Sequence, residues 1–367
     1  MDNRGKPLAR LSHFLHRNFI WFLLGSYGVA AVAPQAGLAI KDVSLGRFTL
    51  FGESIHLSLP MLLLSLLLLN AGLGMQTAQL RYLLHRPWIL VAGLAANVFL
   101  PIAYIFVVSW IMRVWHNPDE VQNILVGLAL VAAMPIAGSS TAWTQNANGD
   151  LTLSLGLVLL STLLSPLTTP VTFDLVEHMA EGKYARALDA LETQGGGAFL
   201  MICVILPSLL GIVLRPAIGE ARTQAAKPML KLLNSINLIV LNYSNASVSL
   251  PQAVADPDWD FLAVILLIVV GMCLVAFLSG WLLSRLFRTD LPQRASLMFG
   301  LGMNNNGTGL VLATMALSHF PHVMLPIICY NLVQHLMAGS VDFLMFRRVD
   351  QEDSPLVQGD LQPRMTG

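Results

Sequence analysis

The chain has 367 residues, 55% of them apolar and only 11% charged, with 21 basic residues balanced by 21 acidic ones. Soluble domains run at roughly 45–50% apolar and about 25% charged, so the composition excludes a water-soluble globule and points to a chain solvated by lipid. Zero net charge, with no basic cluster interleaved with aromatics, excludes a nucleic-acid partner. Cys203, Cys273 and Cys329 sit singly in apolar segments, which implies neither a disulfide framework nor a zinc site.

In chain order, a basic tail over residues 1–18 precedes the apolar stretch Phe19 to Ile40, which ends without a small-residue cleavage site and reads as a retained first helix. Charge and turn clusters then delimit ten windows: 19–40, 55–79, 88–112, 121–145, 151–173, 197–215, 232–254, 261–284, 295–317 and 322–346. Each is long enough for about 30 Å of hydrocarbon, and residues 347–367 form a second tail. With the N-terminus placed inside, Lys41, Arg47, Arg113, Lys183 and Arg186 fall outside and the other 16 of the 21 cationic residues fall inside. Because cationic loops stay cytoplasmic, this predicts an all-α, multi-pass protein of the cell membrane with about ten spans and both termini cytoplasmic. Five spans per half make the second half enter from the opposite side, so 19–173 and 197–346 are expected to be inverted repeats. Gly28 to Gly37 (GVAAVAPQAG) and Gly211 to Gly219 (GIVLRPAIG) echo each other faintly at the ends of the first and sixth spans.

The span centres hold essentially no carboxylate or ammonium, so function falls to neutral polar groups. Two segments concentrate them: Pro135 to Asp150 (PIAGSSTAWTQNANGD) in the fourth span and Gly300 to Gly309 (GLGMNNNGTG) in the ninth. Each interrupts a helix with Pro or Gly among hydroxyls and amides. Backbone freed at that depth must be buried in protein or line a cavity, and it presents half-helix N-termini to anions and free carbonyls to cations. The segments fall fourth in each half, and a matched pair of broken helices marks a transport site. Asn70, Asn97, Gln334 and His335 could reach the same cavity, beside Asn305 and Asn306 from the ninth span itself. Taken singly, such residues more often join helices. Asn242 and Asn245 stand in Asn-x-Ser sequons that the seventh span buries, and the pair His319 and His322 has too few companions for a metal site. No HExxH, facing acidic pair or Ser/His arrangement lies at membrane depth, which leaves an intramembrane enzyme without a nucleophile or metal. A channel or substrate-sensing receptor on the same scaffold is the alternative to a carrier.

Pro135 to Asp174 and Gly300 to Gly339 resemble the bile acid:sodium symporter family: a Pro and small residues before a polar patch, the run Ser161 to Pro166, the break Gly302 to Gly307, and His335, Gly339 and Ser340 in the tenth span. The resemblance implies a secondary active transporter of a small organic anion, working by alternating access. Spans 1, 2, 6 and 7 would form a panel and spans 3, 4, 5, 8, 9 and 10 a core in which the broken helices cross. It further implies sodium ligands at Ser140, Thr141, Ser154, Met303, Asn304 and the Leu301 carbonyl, with Asn97 near a third-helix ligand position. Two positions depart from the pattern. An acidic residue of the family falls on Gly300 and a hydroxyl on Val158. Without the carboxylate, a sodium site must offset cation dehydration with neutral oxygens alone, so sodium coupling is expected to be weak or absent.

Overall fold

The computed structural model describes residues 11, 14–15, 18–50, 53–74, 87–194 and 196–347. Nearly all of tail 1–18, the tail beyond residue 347, residues 75–79 of the second window, and Arg81 and Arg86 lie outside the described residues.

Helix α1 (Phe19–Val32) stops before Pro34, and α2 (Gln35–Asp42) leaves it at 94°. The bend falls where proline removes a backbone donor and disfavours helix at the preceding residue. An antiparallel hairpin follows, β1 (Ser44–Leu50) on β2 (Glu53–Ser58), with Arg47 opposite His56 and a register shift at Gly46, whose φ is +121°. The second window was expected to be helical from residue 55; its first residues are strand, and α3 spans Leu59–Gly74. The apolar strand residues Ile55 and Leu57 lead into the leucines of α3 with Ser58 and Pro60 as the boundary signal, and hydropathy taken alone does not separate the two.

The remaining elements are α4 (Pro87–Ile111), α5 (Pro118–Ala133), α6 (Ser139–Asn146), α7 (Leu151–Glu177), α8 (Gly182–Gln194), α9 (Gly196–Ile218), α10 (Glu220–Ala246), α11 (Leu250–Ala255), α12 (Trp259–Leu286), α13 (Leu291–Gly302), α14 (Asn306–Ala316) and α15 (Met324–Val341). Their starts are encoded locally. Asn117, Asp150, Asp258 and Asp290 accept hydrogen bonds from the first free N–H groups of α5, α7, α12 and α13, and prolines occupy the first turns of α5 and α13.

Among the described residues five helices are long and apolar enough to cross a bilayer, or six if the bent pair α1 and α2 counts as one. Helices α5, α6, α13 and α14 are each too short to do so alone, at 16, 8, 12 and 11 residues. The helices pack in matching pairs: α1 on α10 and α3 on α9; α4 on α7 and α12 on α15; α5 on α15 and α13 on α7; α6 on α7 and α14 on α15. The α3–α9 crossing is the closest. A Cβ on Gly211 would stand 2.2 Å from the Leu69 carbonyl oxygen and one on Gly72 2.1 Å from the Ser208 carbonyl oxygen, so these backbones touch because neither glycine carries a side chain.

Candidate functional site

Helix α5 ends because Met134, before Pro135, is held extended; α13 ends at Gly302, and Met303 is extended as well. The two extended stretches meet. Ile136 and Asn304 form an antiparallel bridge in which the Ala137 N–H donates to the Met303 carbonyl at 2.9 Å and the Asn305 N–H to the Pro135 carbonyl at 2.8 Å. Each break thus satisfies the other's freed backbone, which lipid could not do. Side chains complete the exchange. The Ser161 hydroxyl accepts from the Ile136 N–H at 3.1 Å, Thr169 donates to the Ala133 carbonyl at 2.7 Å, and Asn304 Nδ2 donates to the Val131 carbonyl at 2.8 Å.

Two helices begin at this crossing, α6 and α14, and direct their N-termini into it. Asn305 caps α14 by accepting from the Thr308 N–H. Around these starts, buried polar atoms lack partners among the described residues: Ser140 Oγ, Asn304 Oδ1, Thr308 Oγ1, and both side-chain polar atoms of Asn306. Native interiors leave few such atoms, and each one costs its desolvation. Their concentration at a helix crossing makes this the candidate ligand site.

Of the residues expected to ligate sodium, Ser154 and Thr141 share a hydrogen bond of 3.2 Å between their hydroxyls, and Thr144 Oγ1 lies 3.3 Å from Ser154 Oγ. Ser140 lies on the same short helix as Thr141 and Thr144, with its carbonyl accepting from Thr144 at 2.9 Å. The oxygens are neutral and hard, as sodium requires, but carry no charge. Gly300 is buried, and a Cβ there would stand 3.1 Å from Leu157 Cδ1. Val158 is also buried and contributes only its carbonyl, which accepts from Ser161 and Thr162.

Asn97, buried with Oδ1 unpartnered, and Leu301 line one cleft between α4, α12 and α13. Met303 and Asn304 lie in the crossing, where their backbone groups are already used. His335 is buried on α15 with its ring edge-on to Phe19 at 5.9 Å. Asn70 stands apart, donating to the Leu230 carbonyl on α10 at 3.1 Å, and serves to join α3 to α10. Thr144, Ser161 and Thr308 were not singled out in the sequence. Each was one hydroxyl among several in its segment, and only the crossing distinguishes it. Tyr27 and Asn331 also escaped notice; they belong to a hydrogen-bonded chain that begins at Gln334, whose Oε1 accepts from the Asn304 N–H at 3.0 Å.

Residues 61–255 match the Sodium Bile acid symporter family. The chain is 27% identical over 340 residues to a Bacillus subtilis protein named uncharacterized sodium-dependent transporter YocS, covering 91% of this chain and 92% of that one. It is 26% identical over 224 residues to the uncharacterized protein YbaS of the same organism, covering 61% of this chain and 69% of that one. It is 25% identical over 291 residues to the probable sodium/metabolite cotransporter BASS1, chloroplastic, of Arabidopsis thaliana, covering 78% and 66%.

Proposed function

The chain belongs to the sodium bile acid symporter family, and from that premise we propose that it is a secondary active transporter of a small organic anion, working by alternating access around the crossing of α5–α6 with α13–α14. The observation that carries the reading is the crossing itself, two helix breaks bridged backbone to backbone and surrounded by buried amide and hydroxyl atoms without partners. Helix N-termini favour an anion, and neutral amides hold one without trapping it as a fixed cation would. Asn305, Asn306 and His335 are assigned to the anion, with Asn97 at the adjoining cleft.

The reading includes ten spans in two inverted repeats. In it α1–α2, α3, α9 and α10 form one body, the panel, and α4 to α7 with α12 to α15 form the core. The matching helix pairs support this, since exchanging the halves turns α1 on α10 into α9 on α3, and α4 on α7 into α12 on α15. Both termini face the cytoplasm in this arrangement, in the cell membrane.

Sodium is the coupling ion of this reading, supported by the names of the relatives. Ser140, Thr141, Ser154, Asn304 and the Leu301 carbonyl would hold it, with the Met303 carbonyl offering the lone pair that the Ala137 N–H leaves free. With Gly300 in place of a carboxylate the affinity is low, because the dehydrated ion meets no formal negative charge. The ion's contribution is its gradient. No observation favours a channel or a receptor on this scaffold.

The test is uptake of a panel of organic anions into proteoliposomes with and without a sodium gradient. Saturable uptake and counterflow, stimulated by sodium without saturation at low millimolar concentration, are expected. A single-channel conductance, or binding without flux for every anion, would overturn the reading.

A further inference from the structure

Gln334 on α15 is 1% exposed, and the Asn304 N–H orients its amide by donating to Oε1 at 3.0 Å. Nε2 therefore points away from the crossing and donates to Asn331 Oδ1 at 3.3 Å, one turn earlier on α15. With Oδ1 occupied, Asn331 presents Nδ2, which donates to the Tyr27 hydroxyl on α1 at 2.8 Å and to Asn242 Oδ1 on α10 at 3.1 Å. Having accepted, the Tyr27 hydroxyl donates its own proton to Asn242 Oδ1 at 3.2 Å, and Asn242 Nδ2 closes the chain on the Leu238 carbonyl at 2.8 Å. Tyr27, Asn242, Asn304, Asn331 and Gln334 are all buried. Every donor in the series points in a direction set by one backbone N–H at the crossing, and hydrogen bonds in such chains polarise one another.

The series crosses between bodies at one step only. Asn304, Gln334 and Asn331 lie on core helices, whereas Tyr27 and Asn242 lie on α1 and α10. Elsewhere the α1–α15 contact includes the edge of His335 on Phe19, the α10–α14 contact includes a weak bond of 3.5 Å from Thr314 to Asn245, and α3 packs on α14 and α9 on α7. We propose that the step from Asn331 to Tyr27 and Asn242 is a latch holding the panel against the core, and that it opens in every transport cycle. The proposal rests on the transporter reading above. Opening it in a dry interface would strand the buried Asn331 Nδ2 donor and take one donor each from Tyr27 and Asn242, so the latch opens only as water or ligand reaches the interface. It also ties the panel to Asn304, whose own Oδ1 has no partner, so that a ligand taken up by that atom acts on the residue from which the chain starts.

Two measurements test this, with Cys203, Cys273 and Cys329 first replaced by Ala. In the first, Asn242→Cys and Asn331→Cys are bridged by a short, reducible bis-thiol reagent in proteoliposomes. Bridging is expected to lower organic-anion flux at least tenfold, with recovery on reduction. Equal flux in the bridged and reduced states overturns the latch. A reduced protein without flux for any anion would count against the transporter reading instead, and the second measurement then decides the latch alone. Spin labels at the exposed positions Phe106→Cys on α4 and Val213→Cys on α9 report the panel-to-core distance without flux. Tyr27→Phe removes the hydroxyl and keeps the ring; Gln334→Glu keeps the shape and the acceptor but loses the donor. Each is expected to raise the population of a second distance at least threefold, and an unchanged distribution in both variants refutes the proposal.

Discussion

A buried hydroxyl without a partner gives a test whose sign separates function from structure. If Ser140 Oγ were only a packing atom, removing it would relieve an unmet desolvation cost, and Ser140→Ala would be neutral or stabilising by about 1 kcal/mol with flux intact. As an ion ligand it behaves differently: thermal stability in detergent is held or improved while sodium-stimulated flux falls at least about tenfold, the loss of roughly 1.4 kcal/mol. Thr308→Val, an equal-volume change at another unpartnered hydroxyl, makes a second measurement of the same kind. Gly300 offers the converse. Gly300→Glu supplies the missing charge next to Leu157 Cδ1, the end of a flexible side chain, so Gly300→Glu with Leu157→Ala is expected to bring half-saturation by sodium down to lower concentration. Unaltered sodium dependence in a well-folded double variant would show that a carboxylate at this position does not reach the ion.

At the scale of elements, packing and capping decide what changes the helices tolerate. Gly211 lies against backbone, with Leu69 O at 2.2 Å and Leu73 N at 2.7 Å from a built Cβ, and backbone cannot rotate away as a side chain can. Gly211→Val should force α3 and α9 apart and cost about 3 kcal/mol or more, read as lost thermal stability or monodispersity. Gly28 on α1 has nothing within 4 Å of a built Cβ, and Gly28→Ala should leave the same readings unchanged. Asp150 caps α7 by accepting from the Thr152 and Leu153 N–H groups, while its backbone N–H donates to the Pro292 carbonyl. Asp150→Ala should cost about 1 kcal/mol as a lost cap, and Asp150→Asn should recover most of it. The breaks were legible at this scale because Pro135 and Gly302 are local signals that act on their own backbone. The hairpin 44–58 was not, since strand pairing there depends on two segments meeting, and the alternation of Ser54 to Ser58 is short and has no strictly alternating partner in Ser44 to Leu50.

For the whole molecule, the distribution of cationic residues predicts that both termini face the cytoplasm. Reporter fusions at residues 1 and 367 should give cytoplasmic signals at both ends, and opposite signals would end the ten-span arrangement. The paired helix contacts predict in addition that the halves are related by a two-fold axis in the membrane plane, which an experimental map would reveal directly.

Composition alone determined that this chain is solvated by lipid, and its punctuation determined where two helices break, because hydropathy and proline both act through the nearest residues. The polar segments around Ser140 and Asn304 were identifiable for the same reason. Which atoms of those segments stay unpartnered was decided only in the tertiary structure, when the bridge between Ile136 and Asn304 consumed some backbone groups and left Ser140 Oγ and the side-chain amide of Asn306 without a partner among the described residues. The roles of Asn70 and Tyr27 were decided there as well. One amide in an apolar helix reads the same whether it meets a backbone carbonyl, as Asn70 meets Leu230, or a transport site, and one tyrosine reads as lipid-facing until Asn331, more than 300 positions later, donates to it. A polar side chain in a span takes its meaning from its partner, and a partner on a distant helix is set by packing that no local pattern records.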